Sequence, residues 1–126
     1  MNSTQAEPAM QALGELALTR SGDKGNHANL GVLADSQRVY EHLVHHLTAE
    51  RVHAFFAGWG ATHVERFLMP NVWALNFILY NVLAGGASRS LRIDTQGKLL
   101  GVAAAELRLP ALLSPSTSST PQEPGA

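Results

Sequence analysis

The sequence predicts an α+β fold in which a mixed or antiparallel sheet is covered on one face by helices. Short apolar runs with the character of strands are interspersed with longer runs whose apolar residues recur at helical spacing. The connections between these runs are local, and each helical run is apolar on one side only, which favours a two-layer sandwich. The length of 126 residues is enough for one such domain and too short for two.

Composition limits the classes of function. Apolar residues make up 45% of the chain and charged residues only 15%, and a surface poor in charge is often covered by another subunit. A formal net charge of -1 gives no sign of a nucleic-acid binder. The chain has no cysteine, which excludes disulfides, thiolate nucleophiles and cysteine-bound zinc. Because no signal-peptide or membrane-span pattern is present either, we expect a cytoplasmic protein without a membrane or nucleic-acid partner.

Residues 1–9 and 114–126 differ from the rest of the chain. Both segments are small, polar and proline-rich, so they bury too little apolar surface to offset the entropy lost on ordering. We therefore expect two disordered tails flanking one folded domain at residues 10–113.

The first half of this domain predicts two strands followed by two helical segments. Leu13 to Thr19 and Asn29 to Leu33 have the apolar pattern of strands. Asp35 and Ser36 are good N-cap residues for a helix over residues 37–47, whose apolar residues recur at helical spacing. Thr48 is expected to cap a second helical segment that ends at glycines 58 and 60.

The second half predicts a strand, a helix and a further strand. The strand runs from His63 to Pro70, and the helix runs from its cap at Asn71 to Val82, before the glycine pair that follows. Residues 88–94 alternate as a strand does, and residues 94–97 read as a turn. Residues 98–110 fit either a strand or a short helix.

The histidines do not make a convincing metal site. His42 and His46 stand four residues apart on the first predicted helix, a spacing that can bind zinc when a third ligand is available. The apolar stripe of that helix directs both imidazoles mostly towards solvent. We therefore expect no metal.

The stretch RSGDKGNHA, residues 20–28, is more polar than a turn between two strands requires. Its glycines allow successive backbone N–H groups to face one anion, and a lysine and an arginine add positive charge. A second glycine loop with an arginine follows the predicted helix, and Lys24 and Arg89 are expected to converge on one anionic group. The predicted ligand-binding residues are Arg20, Ser21, Gly22, Asp23, Lys24, Gly25, Asn26, Asn29, Gly85, Gly86 and Arg89.

The opposing interpretation is a loop that braces itself. In it Asp23 accepts hydrogen bonds from backbone N–H groups, Lys24 pairs with Asp23, and Asn29 bonds to the neighbouring strand. The residues alone leave both interpretations open.

Four blocks of sequence resemble the small domain of the acyclic terpene utilisation AtuA family. They stand in TRSGDKGNHANLG, LTAERVHAFF and LMPNVWALNFILYNVLAGGASRSLRIDTQGK, the last of which contains two blocks. The resemblance covers about Leu13 to Leu109. It implies a ferredoxin-like α+β sandwich. Thr19 and Ala87 depart mildly from the family pattern.

The resemblance also implies a partner and a class of substrate. The family's small domain accompanies a large one, and its members are linked to the breakdown of acyclic terpenes and branched acids as coenzyme A thioesters. The large domain is absent from this sequence, so we expect a small subunit that pairs with an AtuA-type large subunit, with itself, or with both. It would complete a substrate or acyl-CoA site, with no cofactor beyond a coenzyme A thioester as substrate. The alternative is a self-contained hydratase or lyase that uses Asp23 and Lys24 as catalytic residues.

Overall fold

The computed structural model describes residues 9–82 and 98–112. Within these ranges the chain forms six strands and three α-helices. In chain order they are β1 (Met10–Ala12), β2 (Ala17–Lys24), β3 (His27–Ala34), α1 (Gln37–His46), α2 (Ala49–Phe55), β4 (His63–Met69), β5 (Ala74–Tyr80), α3 (Lys98–Ala104) and β6 (Arg108–Pro110).

The main sheet has four strands in the order β2-β3-β5-β4, and every neighbouring pair is antiparallel. β3 and β4 are both antiparallel to β5, so they are parallel to each other and are joined through α1 and α2. This is the split β-α-β unit of ferredoxin-like folds. The predicted α+β sandwich with an antiparallel sheet is confirmed, and β2 supplies the fourth strand.

One face of this sheet forms the core. Cross-strand partners share a face, and the register places Leu30 beside Phe77 and Val32 beside Leu75. All four side chains are fully buried, as are Leu43 and Leu47 of the α1 region. The helices therefore cover the face that carries these residues.

The helices begin where the sequence predicts. The Ser36 hydroxyl accepts a hydrogen bond from the Val39 N–H at 3.2 Å, and the Thr48 hydroxyl accepts one from the Arg51 N–H at 3.1 Å. Each satisfies a backbone donor that the first turn of a helix leaves unpaired. No helix of the described ranges is long and apolar enough to cross a membrane.

A short second sheet closes the domain. β1 and β6 pair antiparallel, with Gln11 opposite Leu109, and the carbonyl of Ala9 accepts a hydrogen bond from the Ala111 N–H at 2.9 Å. This ribbon brings the two ends of the described chain together. The predicted domain limits and tails stay a prediction, because the tails lie outside the described residues except for Ala9.

The helix predicted from Asn71 to Val82 is wrong. Residues 74–80 form β5, and residues 70–72 make a single 3-10 turn that ends at Trp73 with a φ of 56°. Leu75 and Leu79 fit a helical stripe and a strand equally well, because a separation of four keeps residues on one face in both. The buried Phe77 between them decides for a strand.

Three further boundaries differ from the predictions. The strand predicted from Leu13 is β2, which begins at Ala17 because residues 13–15 form a 3-10 turn. The polar stretch 20–28 is mostly strand, as the next section describes. Residues 98–110, left open between helix and strand, contain both α3 and β6. The strand predicted at residues 88–94 and the turn at residues 94–97 lie outside the described residues.

Candidate functional site

The polar stretch that drew attention in the sequence is a tight β-hairpin. β2 and β3 pair without interruption from Ala17 opposite Ala34 to Lys24 opposite His27, so that only Gly25 and Asn26 form the turn. Gly25 has a φ of 65°, a conformation that glycine adopts without strain. The expectation of a long recognition loop is therefore replaced by two strands whose polar residues alternate between the two faces of a sheet.

This alternation divides the predicted binding residues into three groups. Arg20, Gly22 and Asn29 lie on the face opposite the helices, and Ser21 and Asp23 lie on the face that the helices cover. Gly25 and Asn26 are exposed at the tip of the hairpin. Residues that are adjacent in sequence therefore do not converge on one ligand.

Ser21 is used to attach α3 to β2. Its hydroxyl accepts a 2.6 Å hydrogen bond from the Gly101 N–H, and the Thr19 hydroxyl donates a 2.8 Å bond to the Gly101 carbonyl. A Cβ at Gly101 would lie 2.9 Å from the backbone nitrogen of Ser21, so only glycine permits this approach. Neither Thr19 nor Gly101 was singled out from the sequence. A glycine inside a run of helix formers, which usually marks a packing contact, was the available signal.

A depression of about 380 Å³ lies where α3 meets the outer strand of the sheet. Its lining consists of Thr19, Arg20, Ser21, Gly101 and Val102. The depression is open to solvent on one side, and its lining includes two residues with hydroxyl groups and the backbone of Arg20 beside Gly101. We take it as the candidate ligand site.

Arg20 is the only arginine among the lining residues, and its side chain leaves the outer strand β2 on the face opposite α3, at the edge of the depression. The side chain is exposed and forms no hydrogen bond or ion pair with the described residues. A guanidinium offers five donors in a planar fork that matches carboxylate and phosphate oxygens. The site is therefore suited to an anionic group.

A second, shallower depression of about 200 Å³ lies on the face opposite the helices. Gly22 and Gly31 leave its floor without side chains, and Asn29 and Leu33 stand beside them. The amide of Asn29 donates a 2.7 Å hydrogen bond to the amide oxygen of Asn76 on β5. This side-chain bond to a neighbouring strand was part of the self-bracing interpretation.

The other half of that interpretation is not seen for Asp23. Its carboxylate is exposed and makes no hydrogen bond or ion pair within the described part of the chain. The position of the Lys24 side chain lies outside what is described, and so do Gly85, Gly86 and Arg89. The predicted convergence of Lys24 and Arg89 therefore stays a prediction.

Two histidines of α1, His42 and His46, are half-buried, whereas His45 is exposed. The ring of His42 lies 4.6 Å from that of His46, and His42 Nε2 lies 2.7 Å from the Pro110 carbonyl of β6. Burial lowers the pKa of His46, and the neighbouring imidazoles and the Arg51 guanidinium lower this pKa further. Within residues 9–82 and 98–112, no three histidine or acidic side chains are placed to share a metal ion.

Comparison with known proteins identifies the domain. No curated protein and no solved structure matches the chain. The model of the AtuA ferredoxin-like domain matches residues 11–110, which include all the strands and helices described above except Met10. The chain therefore belongs to the AtuA ferredoxin-like domain family.

Proposed function

We propose that this domain is a small subunit that pairs with an AtuA-type large subunit. The pair would act in the breakdown of acyclic terpenes and branched acids as coenzyme A thioesters. The role of the small subunit is to complete a binding site for the thioester rather than to catalyse a reaction by itself. Membership of the AtuA ferredoxin-like domain family supports this role.

The observation that carries the proposal is the unpaired Arg20 beside the depression at the junction of β2 and α3. An exposed, unpaired guanidinium on the outer strand recognises an anion, either a phosphate of coenzyme A or a second carboxylate carried by the acyl chain. The depression is open on one side, whereas ligand sites usually bury most of their ligand. A second chain placed over it would supply the missing wall.

Apolar side chains next to this depression support the same arrangement. Val102 is 68% exposed and Leu99 is 42% exposed, both on α3. Apolar residues at this level of exposure, grouped beside a polar pocket, are typical of surfaces that another chain covers. The large subunit would then contact α3 and close the depression over the ligand.

The proposal is tested with the AtuA-type large subunit purified together with this chain, and isovaleryl-CoA as the probe. Wild-type complex is expected to bind the thioester, and Arg20→Gln is expected to weaken binding by about 1.5–3 kcal/mol, since a charge-assisted hydrogen bond is lost. Arg108→Gln, at an exposed arginine of the other sheet, is the matched control and should bind as wild type does.

The other outcomes are equally informative. If no complex forms, or if Arg20→Gln and Arg108→Gln bind the thioester as tightly as wild type, the proposed role is wrong. Turnover of an α,β-unsaturated or 3-hydroxy branched thioester by this chain alone, lost in Asp23→Asn, would favour the self-contained hydratase or lyase instead, because saturated isovaleryl-CoA offers no double bond to hydrate and no hydroxyl to eliminate.

A further inference from the structure

The two depressions described above lie on opposite sides of the outer strand β2. The depression of about 380 Å³ adjoins α3, and the one of about 200 Å³ lies on the face opposite the helices. We call them the α3 depression and the sheet depression. Arg20 and Ser21 line both. Because no described strand pairs with the free edge of β2, a long ligand can extend from one depression to the other across this edge.

The sheet depression has a flat floor and an unpaired hydrogen-bond acceptor above it. Gly22 and Gly31, on neighbouring strands, leave the backbone of the floor without side chains. A Cβ at Gly22 would lie 3.6 Å from Asn29 Oδ1, so this oxygen stands beside the floor. Asn29 Nδ2 points the other way and donates to Asn76 on β5 at 2.7 Å. None of the described residues donates to Asn29 Oδ1, so this acceptor is available to a ligand.

These features match a purine base that carries an amino group. A flat base can lie against bare backbone, and a volume of about 200 Å³ is enough for one purine ring system. Asparagine commonly recognises adenine, because its amide oxygen accepts a hydrogen bond from the amino group of the base. Arg20 lies directly opposite Gly31 on the same face, and its guanidinium can bind a phosphate. An acceptor for the base beside a cation for the phosphate indicates an adenine nucleotide.

The distribution of charge on this face of the sheet favours an anion at β2. Glu65 is the acidic residue that the four strands place on this face, and it lies on the opposite outer strand, β4. Three strand spacings, roughly 14 Å in total, separate β4 from β2. The Glu65 carboxylate also accepts a 2.7 Å hydrogen bond from the Tyr80 hydroxyl. A phosphate bound at Arg20 therefore meets little repulsion.

The two sides of β2 differ in polarity as the two ends of a coenzyme A thioester do. The sheet depression offers an amide and bare backbone, whereas the α3 depression is bordered by the exposed apolar side chains of Leu99 and Val102. A coenzyme A thioester has an adenine nucleotide at one end and an apolar acyl chain at the other, joined by a long flexible arm. The polar side therefore suits the nucleotide and the apolar side suits the acyl chain.

We propose, on the basis of the function proposed above, that the sheet depression binds the adenine nucleotide of the thioester. The base lies over Gly22 and Gly31 and its amino group donates to Asn29 Oδ1, while Arg20 binds a phosphate at the edge of β2. The arm crosses this edge and leads the acyl chain to the α3 depression. All the groups that bind the nucleotide belong to this chain, whereas the large subunit closes the acyl end.

The test is an NMR titration of the isotope-labelled full chain with adenosine 3′,5′-bisphosphate, the nucleotide part of coenzyme A without its arm. The signals of Gly22, Gly31 and the Asn29 side-chain amide are expected to shift, and that of Gly101 much less. Inosine 3′,5′-bisphosphate has an oxygen in place of the amino group, and this oxygen would face Asn29 Oδ1. It should bind about tenfold more weakly. Equal affinity for the two nucleotides, no binding of either, or shifts confined to α3 would overturn the proposal.

A substitution that fills the sheet depression connects this site to the thioester. Gly31→Val fits the strand, because a Cβ there meets its nearest atom, the Arg20 carbonyl oxygen, at 3.8 Å. It should weaken binding of the bisphosphate to the chain, and of isovaleryl-CoA to the complex with the large subunit, by about tenfold or more. Gly58→Val, in a turn where a Cβ meets no atom within 4 Å, is the matched control and should bind both as wild type does.

The outcomes separate this site from the function on which it rests. A complex that binds isovaleryl-CoA equally well with and without Gly31→Val would overturn the nucleotide site and leave the proposed function standing. A wild-type complex that binds no thioester, beside a chain that binds the adenosine bisphosphate in preference to the inosine one, would overturn the proposed function and support the nucleotide site.

Discussion

The backbone N–H of Gly101 donates a 2.6 Å hydrogen bond to the hydroxyl of Ser21, a residue 80 positions earlier in the chain. The Thr19 hydroxyl donates to the carbonyl of the same glycine. Two side chains on one face of β2 thus hold both polar groups of one residue in α3. The helix lies directly on the strand backbone, and this contact shapes the candidate ligand site.

Gly101→Ala is expected to destabilise the protein. The added Cβ would lie 2.9 Å from both the backbone nitrogen and the hydroxyl oxygen of Ser21, so the strand or the helix must shift. Overpacking of this kind costs about 1–3 kcal/mol, partly offset by the better helix propensity of alanine, about 1 kcal/mol. Urea unfolding measures the net loss. Gly58→Ala, where a Cβ would meet no atom within 4 Å, is the control. Equal stability of Gly101→Ala and wild type would mean that α3 does not rest on β2 as described.

Arg66 connects β4 to the end of α1. Its guanidinium donates hydrogen bonds to the carbonyls of Val44 and Leu47 at 2.8 and 2.9 Å, which are among the acceptors that a helix end leaves unpaired. Arg66→Met keeps the apolar stem and removes the donors, so we expect a loss of about 1.5–3 kcal/mol in the free energy of unfolding. Arg66→Lys keeps the charge without the planar fork and should lose less. Thermal and urea unfolding of the three proteins would refute this role if Arg66→Met were as stable as wild type.

Local signals in the sequence were sufficient for several elements. Ser36 and Thr48 are predicted caps, and both accept the expected backbone hydrogen bond. The alternation of Leu30 and Val32 identifies a strand in the right place. These signals depend on residues close in sequence, which is why they can be recognised without a structure.

The misassigned helix at residues 71–82 shows where such signals fail. Leu75 and Leu79 satisfy both periods, and the choice depends on whether Phe77 has a buried place to occupy. That place is created by Leu30 on β3, which lies far away in the sequence. Tertiary context therefore decides between two locally acceptable patterns.

The candidate site was predicted in composition but not in arrangement. Arg20 and Ser21 both line the depression at α3, yet only Arg20 is left without a described partner, because Ser21 bonds to Gly101. The two residues lie on opposite faces because they alternate along a strand. The glycines and charged residues of this stretch lack the apolar alternation by which a strand is recognised in a sequence. Gly101 belongs to α3, 80 positions after Ser21, so no local pattern around Ser21 indicates the contact between them.

Leu75→Ala tests the core on the covered face of the sheet. Leu75 is fully buried beside Val32, and truncation there removes apolar contacts and leaves a cavity. We expect a loss of about 2–5 kcal/mol in the free energy of unfolding. Val72→Ala, at a residue 58% exposed in the preceding turn, should change stability by less than about 0.5 kcal/mol. A cost near zero for Leu75→Ala in urea unfolding would place the core elsewhere.

His46 is expected to make stability depend on pH in the mildly acidic range. Its pKa in the folded protein is lowered by burial and by the charges of His42, His45 and Arg51, whereas in the unfolded chain it is about 6.5. Above that value the imidazole is neutral in both states and has no effect. As the pH falls below about 6.5, the unfolded chain binds the proton before the folded protein does. Proton binding stabilises the unfolded state, so the free energy of unfolding falls until the pH has passed the folded pKa. The free energy of unfolding should therefore decrease between pH 7 and pH 5, and His46→Gln should decrease less steeply. Urea unfolding of both proteins at several pH values measures the two slopes. Parallel slopes would show that the folded protein does not disfavour the charged form of His46.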